Sequence, residues 1–238
     1  MGTVYGKRGP SGTIERYVTE GLIMYLDAGI RSSYSGSGTT WYDLTSYNHN
    51  ATISGTSVWD STYNGQFDFG TVEQTSQYIS LPAAAAQLTS QDYTIEFWMA
   101  PIAPASTDNY FCSMAYSSDT NYFLMTEKPN NFIERYNETT NTVPFTDGVP
   151  MNMCIVRNSS NTGTLYKNGV SLGSSSGITQ INLTTSWILN QEQDSVGGGF
   201  QASQCYFGSF MVVKLYNIAL TQTQIQKNFN VLRGRFGI

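Results

Sequence analysis

The residues best suited to chemistry lie in one short polar stretch. Gln191-Glu192-Gln193-Asp194 places two carboxylates and two amides in four consecutive positions. In an extended chain, side chains two residues apart share a face, so Glu192 and Asp194 are expected to point the same way. Neighbouring carboxylates repel each other unless a cation lies between them, and carboxylate, amide and carbonyl oxygens are the ligands that Ca²⁺ prefers. The spacing alone leaves two interpretations open, a calcium site and a solvated surface loop.

A glycine run follows this stretch and allows the chain to turn back on it. Residues 197–199 are three consecutive glycines, and glycine permits the close backbone approach that a tight loop needs. The returning chain carries Gln201 and Gln204, whose side chains can supply further oxygen atoms. The sequence therefore predicts a single polar loop with enough oxygen donors to hold a cation.

The motif at 191–200, Gln-Glu-Gln-Asp-Ser-Val-Gly-Gly-Gly-Phe, resembles the calcium-binding segment of the pentraxins. The likeness continues through Ala-Ser-Gln and a strand that ends in Leu-Tyr-Asn. More broadly, residues 21–235 are similar to the laminin G-like, concanavalin A-like jelly-roll superfamily. This resemblance implies a jelly-roll fold, a lectin-like binding activity and bound calcium.

The resemblance also implies individual calcium ligands. It assigns this role to the side chains of Glu192, Asp194 and Gln204 and to the carbonyl oxygen of Gln193. Gln201 stands where the family usually has a carboxylate, which weakens a second ion site. The sequence therefore matches the family best at one ion position.

Two further pairs of oxygen-bearing residues are candidates. In pentraxins a hairpin supplies an Asp-Asn pair to the first ion, and Asp119 and Asn121 are the nearest equivalents, although Thr120 separates them. A turn without a metal explains this pair equally well. For Asp27 and Asp43 the preferred explanation is capping and turn hydrogen bonds.

The composition is that of a chain with many short strands and turns. The 238 residues include 22 glycines and 13% aromatic residues, and no break in composition divides them, which favours one large domain. The net charge of −5 argues against a nucleic-acid partner. No apolar run reaches the roughly 20 residues that cross a bilayer, so no membrane partner is expected. No signal segment follows Met1, and synthesis in a cytoplasm is expected.

Local patterns predict the strands and the helix. Strict alternation over Tyr93–Met99 predicts a strand with one buried face, and Asn168-Gly169 predicts a tight hairpin. Thr221 is expected to cap a helix that Gly234 ends. With the resemblance, these patterns predict an all-β, two-sheet antiparallel jelly-roll sandwich (concanavalin A-like) with a short C-terminal helix.

The first 20 residues are expected to form a separate N-terminal arm. Residues 1–20 are rich in glycine and lack periodicity, whereas residues 21–238 carry the jelly-roll domain. We expect the arm to be held by another protein or by another copy of the chain. The basic and apolar residues expected to make that contact are Val4, Tyr5, Lys7, Arg8, Ile14, Arg16, Tyr17 and Val18.

The cysteines are expected to be free thiols. Cys112, Cys154 and Cys205 are an odd number, and the chain shows no secretion signal. Pentraxins bridge two neighbouring strands, and the resemblance places Cys154 at one of these positions. The partner position, near Phe97, has no cysteine.

Three functions remain open. The first is a non-catalytic module whose calcium patch binds a carbohydrate, such as a host-surface glycan. The second is a structural protein of a phage virion (capsid decoration, or a tail or fibre component), because the ending Asn-Phe-Asn-x-Leu-x-Gly-Arg-Phe-Gly at 228–237 is similar to virion-associated members of the superfamily. The third is a glycoside hydrolase.

The hydrolase is disfavoured on chemical grounds. Such enzymes need paired carboxylates roughly 5–9 Å apart, one of which donates a proton. The sandwich glucanases carry a three-acid strand motif, and Glu192-x-Asp194 lacks the third acid. Glu96 is expected to be isolated. We therefore expect a non-catalytic virion protein that carries a lectin-like, calcium-binding module.

Overall fold

The structure, a computed structural model, places two β-sheets face to face and one helix against the outer surface of the first. The residues that it describes are 16–56, 58–84, 92–104, 109–117, 120–129, 132–135, 142–176 and 185–238. The strands are β1 (Leu22–Asp27), β2 (Thr40–Trp41), β3 (Ala51–Ser54), β4 (Trp59–Asp60), β5 (Gln66–Asp68), β6 (Tyr78–Leu81), β7 (Tyr93–Pro101), β8 (Asn109–Ser117), β9 (Thr120–Lys128), β10 (Phe132–Arg135), β11 (Val143–Pro144), β12 (Met151–Arg157), β13 (Gly163–Lys167), β14 (Val170–Ser175), β15 (Trp187–Leu189) and β16 (Gly208–Tyr216). Helix α1 spans Gln222–Phe236.

Both sheets are antiparallel and contain eight strands. The first has the order β14-β13-β12-β7-β16-β5-β4, with β1 also paired to β16, and the second has the order β11-β10-β9-β8-β15-β6-β3-β2. Neighbours in space are often distant in sequence, as a jelly-roll requires. The predicted all-β sandwich with a C-terminal helix is confirmed.

The core between the sheets is dominated by aromatic rings. Phe97 of β7 meets Phe111 of β8 edge to face, with ring centroids 5.6 Å apart. Trp41 and Phe67 meet in the same manner at 4.8 Å. Burying each of these side chains contributes about 1.5–3 kcal/mol to stability, so the sandwich interior is the main source of its stability.

Strand β7 is buried on both faces rather than on one. All nine of its residues are buried. The outward-facing Trp98 stacks against Phe236 at 4.4 Å and against Phe229 at 5.8 Å. The alternation correctly predicted a strand, but the prediction of one exposed face is wrong because α1 covers that face.

The predicted turn and cap are confirmed, but the predicted end of the helix is wrong. Asn168 and Gly169 both have positive φ, 51° and 79°, as a two-residue hairpin requires. Thr221 caps α1, because its side chain accepts a hydrogen bond from the backbone N–H of Gln224. The helix runs through Gly234 and ends before Gly237, whose φ of 74° makes it the left-handed cap.

A buried ion pair lies between the first sheet and α1. Lys214 Nζ is 3.1 Å from Glu96 Oε1, and both side chains are 0% exposed. The same Glu96 oxygen accepts hydrogen bonds from Trp98 Nε1 at 3.1 Å and Asn152 Nδ2 at 3.2 Å. Its other oxygen accepts from Asn228 Nδ2 at 2.9 Å. The partners of Glu96 are thus an ammonium group, an indole and two amides, which give this carboxylate a structural role.

The packed body of the protein begins before Gly21. The backbone N–H of Val18 donates to Asn228 Oδ1 at 2.8 Å, and its carbonyl accepts from Tyr216 Oη at 3.2 Å. The ring of Tyr17 contacts that of Tyr25 at 4.9 Å. Tyr17 and Val18 thus pack on their own domain, which corrects their expected role as anchors on a neighbour.

All three cysteines are free and buried, as their odd number predicts. Burial raises the pKa of Cys112 well above its ordinary value, and burial together with the nearby Glu96 carboxylate does the same for Cys154. These thiols are therefore packing groups rather than nucleophiles. Among the described residues, no helix is both long and apolar enough to cross a membrane.

Replacing one partner of the buried pair should destabilise the whole fold. We expect Lys214→Met to lower the free energy of unfolding by about 3–5 kcal/mol, because it leaves the Glu96 carboxylate buried without its cation. Denaturant unfolding measures this change. Exposed Lys227 provides the matched control, and Lys227→Met should change stability by less than about 0.5 kcal/mol. Adding Glu96→Gln to Lys214→Met should recover part of the loss, and equal stability of Lys214→Met and wild type would refute the role of the pair.

Candidate functional site

The polar loop, residues 190–205, leaves the second sheet at the end of β15. Asn190 has a φ of 78°, which stops the strand. Its backbone N–H still donates to the Phe111 carbonyl at 3.1 Å, and its carbonyl accepts from the Tyr206 N–H at 3.3 Å. The chain therefore enters and leaves the loop beside the same residue, and the base of the loop is closed.

Two glutamines fasten the polar loop to the sheet. Gln193 Nε2 donates to the carbonyl and hydroxyl oxygens of Ser113, at 2.9 and 3.1 Å, and Gln193 Oε1 accepts from the Gly197 N–H at 2.7 Å. Ser113 Oγ in turn donates to the carbonyl of Gln191 at 2.7 Å. The amide of Gln193 is therefore structural, and the predicted ligand at this position is its carbonyl oxygen.

The tip of the polar loop folds back on Asp194, as the glycine run predicts. The N–H of Gly198 donates to the Ser195 carbonyl at 2.9 Å. Gly199 has a φ of 75°, and a Cβ added there would lie 2.6 Å from Cβ of Asp194. Gln201 Nε2 donates to Asp194 Oδ2 at 3.0 Å. The structure thus brings Gln201 and Asp194 together, with Gln201 as a donor to the carboxylate.

The polar loop contains several buried amide oxygens. Asn190 Oδ1, Gln191 Oε1 and Gln204 Oε1 are buried and have no hydrogen-bond partner among the described residues. Such atoms are rare in native proteins and call for an explanation, which an ion can provide. Glu192 is only 6% exposed, whereas Asp194 is exposed. Carboxylate and amide oxygens are the types of ligand that Ca²⁺ prefers.

The described residues contain no cluster of three or more histidine, cysteine, aspartate or glutamate side chains. A cation held by the polar loop would therefore rely on amide and carbonyl oxygens beside the two carboxylates. Such a mixed ligand set suits calcium rather than zinc, which prefers histidine and thiolate ligands.

The remaining candidates lie elsewhere or outside the described residues. Asp119 is outside them, and Asn121 lies in β9, where its backbone pairs with Ala115 of β8. Asp27 binds Arg235, with Oδ1 2.6 Å from Nη1. Asp43 accepts hydrogen bonds inside its own loop and from the Tyr25 N–H at 2.8 Å. The turn and capping explanation of Asp27 and Asp43 therefore accounts for both.

A second set of contacts that holds the polar loop was not predicted from the sequence. Gln191 Nε2 donates to the Gln74 carbonyl at 2.7 Å, and Asn190 Nδ2 donates to the Gln77 carbonyl at 2.6 Å. The ring of Tyr78 meets that of Phe200 at 4.7 Å. More than one hundred residues separate these partners, so no local pattern could reveal them.

Removing the amide of Gln193 should loosen the polar loop. We expect Gln193→Leu to lower the free energy of unfolding by about 2–4 kcal/mol, because it leaves Ser113 and the Gly197 N–H without their partner. Gln201→Leu is the matched control, since Gln201 is exposed, and it should change stability by less than about 0.5 kcal/mol. Denaturant unfolding compares the two variants, and equal effects would contradict the assignment of Gln193.

Solved structures with the same fold come from several kinds of protein. A mutant Trypanosoma rangeli sialidase with trans-sialidase activity matches at 14% identity and a TM-score of 0.68, over 97% of this chain and 36% of its own. The receptor-binding domain of botulinum neurotoxin type G matches at 11% identity and a TM-score of 0.64, over 89% of this chain and 51% of its own. A heptameric SAP-like pentraxin from Limulus polyphemus matches at 22% identity and a TM-score of 0.49, over 62% of this chain and 70% of its own.

The likenesses to the sialidase and to the toxin domain show the fold alone, because both identities are low. The chain spans about half the length of the toxin domain and about a third of the sialidase. No curated protein sequence matches the chain. The sequence profile of the concanavalin A-like lectin/glucanases superfamily, of the laminin G type, matches residues 73–226, which include the polar loop and most of both sheets. The chain therefore belongs to the concanavalin A-like lectin/glucanases superfamily.

Proposed function

We propose that the protein is a non-catalytic recognition module in which Ca²⁺ organises the polar loop into a binding patch for a carbohydrate. The observation that carries this proposal is Gln204 Oε1, a buried amide oxygen without a hydrogen-bond partner in the described part of the chain, in the same loop as Glu192 and Asp194. The lectin-like family and fold support the ligand class. The fold by itself does not determine function, so the argument rests on the polar loop.

Five residues of the polar loop have separate roles in this proposal. The side chains of Glu192, Asp194 and Gln204 and the carbonyl of Gln193 would hold the ion. Bound calcium supplies positive charge and open coordination positions that sugar hydroxyl groups can occupy. The Gln193 amide fixes its own backbone through Ser113. Gln201, already bonded to Asp194 Oδ2, positions that carboxylate.

The absence of catalysis is part of the same proposal. A glycoside hydrolase needs a carboxyl group that can protonate a substrate. Glu96 is fully buried beneath α1 and paired with Lys214, so it has no access to a sugar. The carboxylates of Asp27 and Asp43 are engaged in ion-pair or turn contacts. These contacts give Glu96, Asp27 and Asp43 structural roles, which supports the non-catalytic proposal.

Calcium should stabilise the protein through the polar loop. A ligand at 100 times its Kd adds about 2.7 kcal/mol to the free energy of unfolding, which corresponds to a rise of roughly 5–10 °C in Tm for a domain of this size. We expect this rise in calcium relative to chelator, and we expect Asp194→Ala to abolish it. Exposed Glu20, far from the polar loop in sequence, provides the control, and Glu20→Ala should keep the full rise. Identical melting curves of the wild type in calcium and chelator would disprove the proposal.

We further propose that this module is a surface component of a phage virion, as a capsid decoration or as a tail or fibre protein. The support is the sequence ending at 228–237 and the composition of the arm. In this proposal the protein is made in the host cytoplasm, and the arm joins it to other virion proteins or to copies of itself. Because Tyr17 and Val18 pack on their own domain, the joining segment is residues 1–15.

Deleting residues 1–15 separates folding from assembly. We expect the truncated protein to keep the Tm of the full chain, because every contact of Val18 remains. We expect it to be lost from purified particles, as measured by quantitative immunoblotting. Normal incorporation of the truncated protein would disprove the joining role, and absence of the full-length protein from particles would disprove the virion placement.

A further inference from the structure

Two exposed aromatic side chains lie on one loop of the second sheet. We call residues 42–50, between β2 and β3, the aromatic loop. Tyr42 is 52% exposed and Tyr47 is 48% exposed. Among the aromatic side chains whose burial the structure describes, these two alone are exposed. Exposure of two large rings in one short segment indicates a contact surface.

The aromatic loop holds its shape without using these rings. Asp43 accepts hydrogen bonds from Thr45 Oγ1 at 2.6 Å and from the His49 N–H at 2.9 Å. The Asp43 N–H donates to Asn50 Oδ1 at 2.8 Å, and Asp43 Oδ1 ties the loop to the Tyr25 N–H of β1. The rings are therefore presented on a framework that is already rigid, which reduces the entropy lost on binding.

Tyr47 is also fixed in orientation by a neighbouring ring. The imidazole of half-buried His49 stacks against the phenol ring, with an interplanar angle of 7° and centroids 6.0 Å apart. The residue between them, Asn48, has a φ of 58°, which favours asparagine. A flat ring held in one orientation and half open to water is suited to stacking against a flat ligand.

The aromatic loop and the polar loop leave the second sheet at opposite ends. The aromatic loop leads directly into Ala51, the first residue of β3, whereas the other end of β3 pairs with Tyr78 of β6. Ile79 of β6 pairs with Leu189, the last residue of β15 before the polar loop. The two loops are therefore separate surfaces, and a ligand of the aromatic loop would not use the calcium ligands.

The surroundings of the rings favour a neutral sugar over a protein partner. Asp43 is the one charged residue at 42–50, and its carboxylate is already engaged by internal hydrogen bonds. The other loop positions are mainly serine, threonine and asparagine. The contact area of two exposed rings in a polar setting suits one or two sugar units. A stable protein interface is far larger and buries about 800 Å² on each partner.

We propose that Tyr47, supported by His49 and joined by Tyr42, binds a neutral β-linked oligosaccharide of gluco configuration without calcium. All ring substituents of such a sugar are equatorial, so each face presents only C–H groups to an aromatic ring. The hydroxyl groups at the sugar edge can pair with the polar side chains of the aromatic loop. This site is additional to the proposed calcium patch and does not depend on it.

The test titrates cellohexaose and chitohexaose into the full-length protein by calorimetry, in the presence of chelator. We expect binding of at least one hexasaccharide, weakened about tenfold by Tyr47→Ala and less by Tyr42→Ala. Tyr47→Phe keeps the ring and should bind as the wild type does. Exposed Val170, on β14 of the other sheet, provides the control, and Val170→Ala should have no effect. Thermal melting checks that each variant is folded.

Three results would overturn the proposal. The first is that the wild type binds neither hexasaccharide, and the second is that Tyr47→Ala binds as tightly as the wild type. The third is binding that is absent in chelator but appears when the titration is repeated in calcium, which would assign the sugar to the polar loop instead. Self-association of the wild type that Tyr47→Ala abolishes, in the absence of sugar binding, would assign the aromatic loop to a protein contact. Failure of the calcium melting experiment would leave this proposal intact, because the binding expected here is measured in chelator.

Discussion

The ion pair between Glu96 and Lys214 is the constraint on which the layered structure depends. A carboxylate and an ammonium group without solvent access are tolerated only when each is paired and hydrogen-bonded. Glu96 meets this condition through donors from its own strand, from β12 and from α1. Lys214 also lies 5.4 and 5.2 Å from the ring centroids of Tyr17 and Tyr25. Sheet, helix and N-terminal segment must therefore be assembled together for the pair to be satisfied.

The two sheets have different roles as a result. Helix α1 covers the outer face of the first sheet. The contacts between them include the hydrogen bond from Asn228 to Glu96 and the stacking of Trp98 on Phe236. The second carries both loops that we assign to binding. Its strands hold the polar loop through Ser113 and the aromatic loop through the entry to β3. The first sheet contains the buried ion pair, and the second sheet carries the two loops to which we assign binding.

Local features of this protein could be predicted from the sequence, whereas long-range ones could not. The hairpin at Asn168-Gly169 and the Thr221 cap depend on neighbouring residues, and both were predicted. The end of α1 was missed because Gly234 and Gly237 are both glycine, and only Gly237 has positive φ. The partners of Glu96 were missed for another reason, since Lys214 is 118 residues away. For the polar loop, the glycine run predicted the turn back towards Asp194, but the contacts with Gln74 and Gln77 could be found only in the tertiary structure.

The construction of the polar loop has a consequence for how its specificity can change. Its base is fixed by contacts that reach far along the chain, while its tip is closed by the short-range pair of Ser195 and Gly198. Val196 sits at that tip, 46% exposed. A substitution at Val196 would change the surface that a ligand contacts without disturbing the base of the loop. The tip can therefore vary in sequence while the base keeps its fold, and it is the position at which a laboratory library of variants would be inserted.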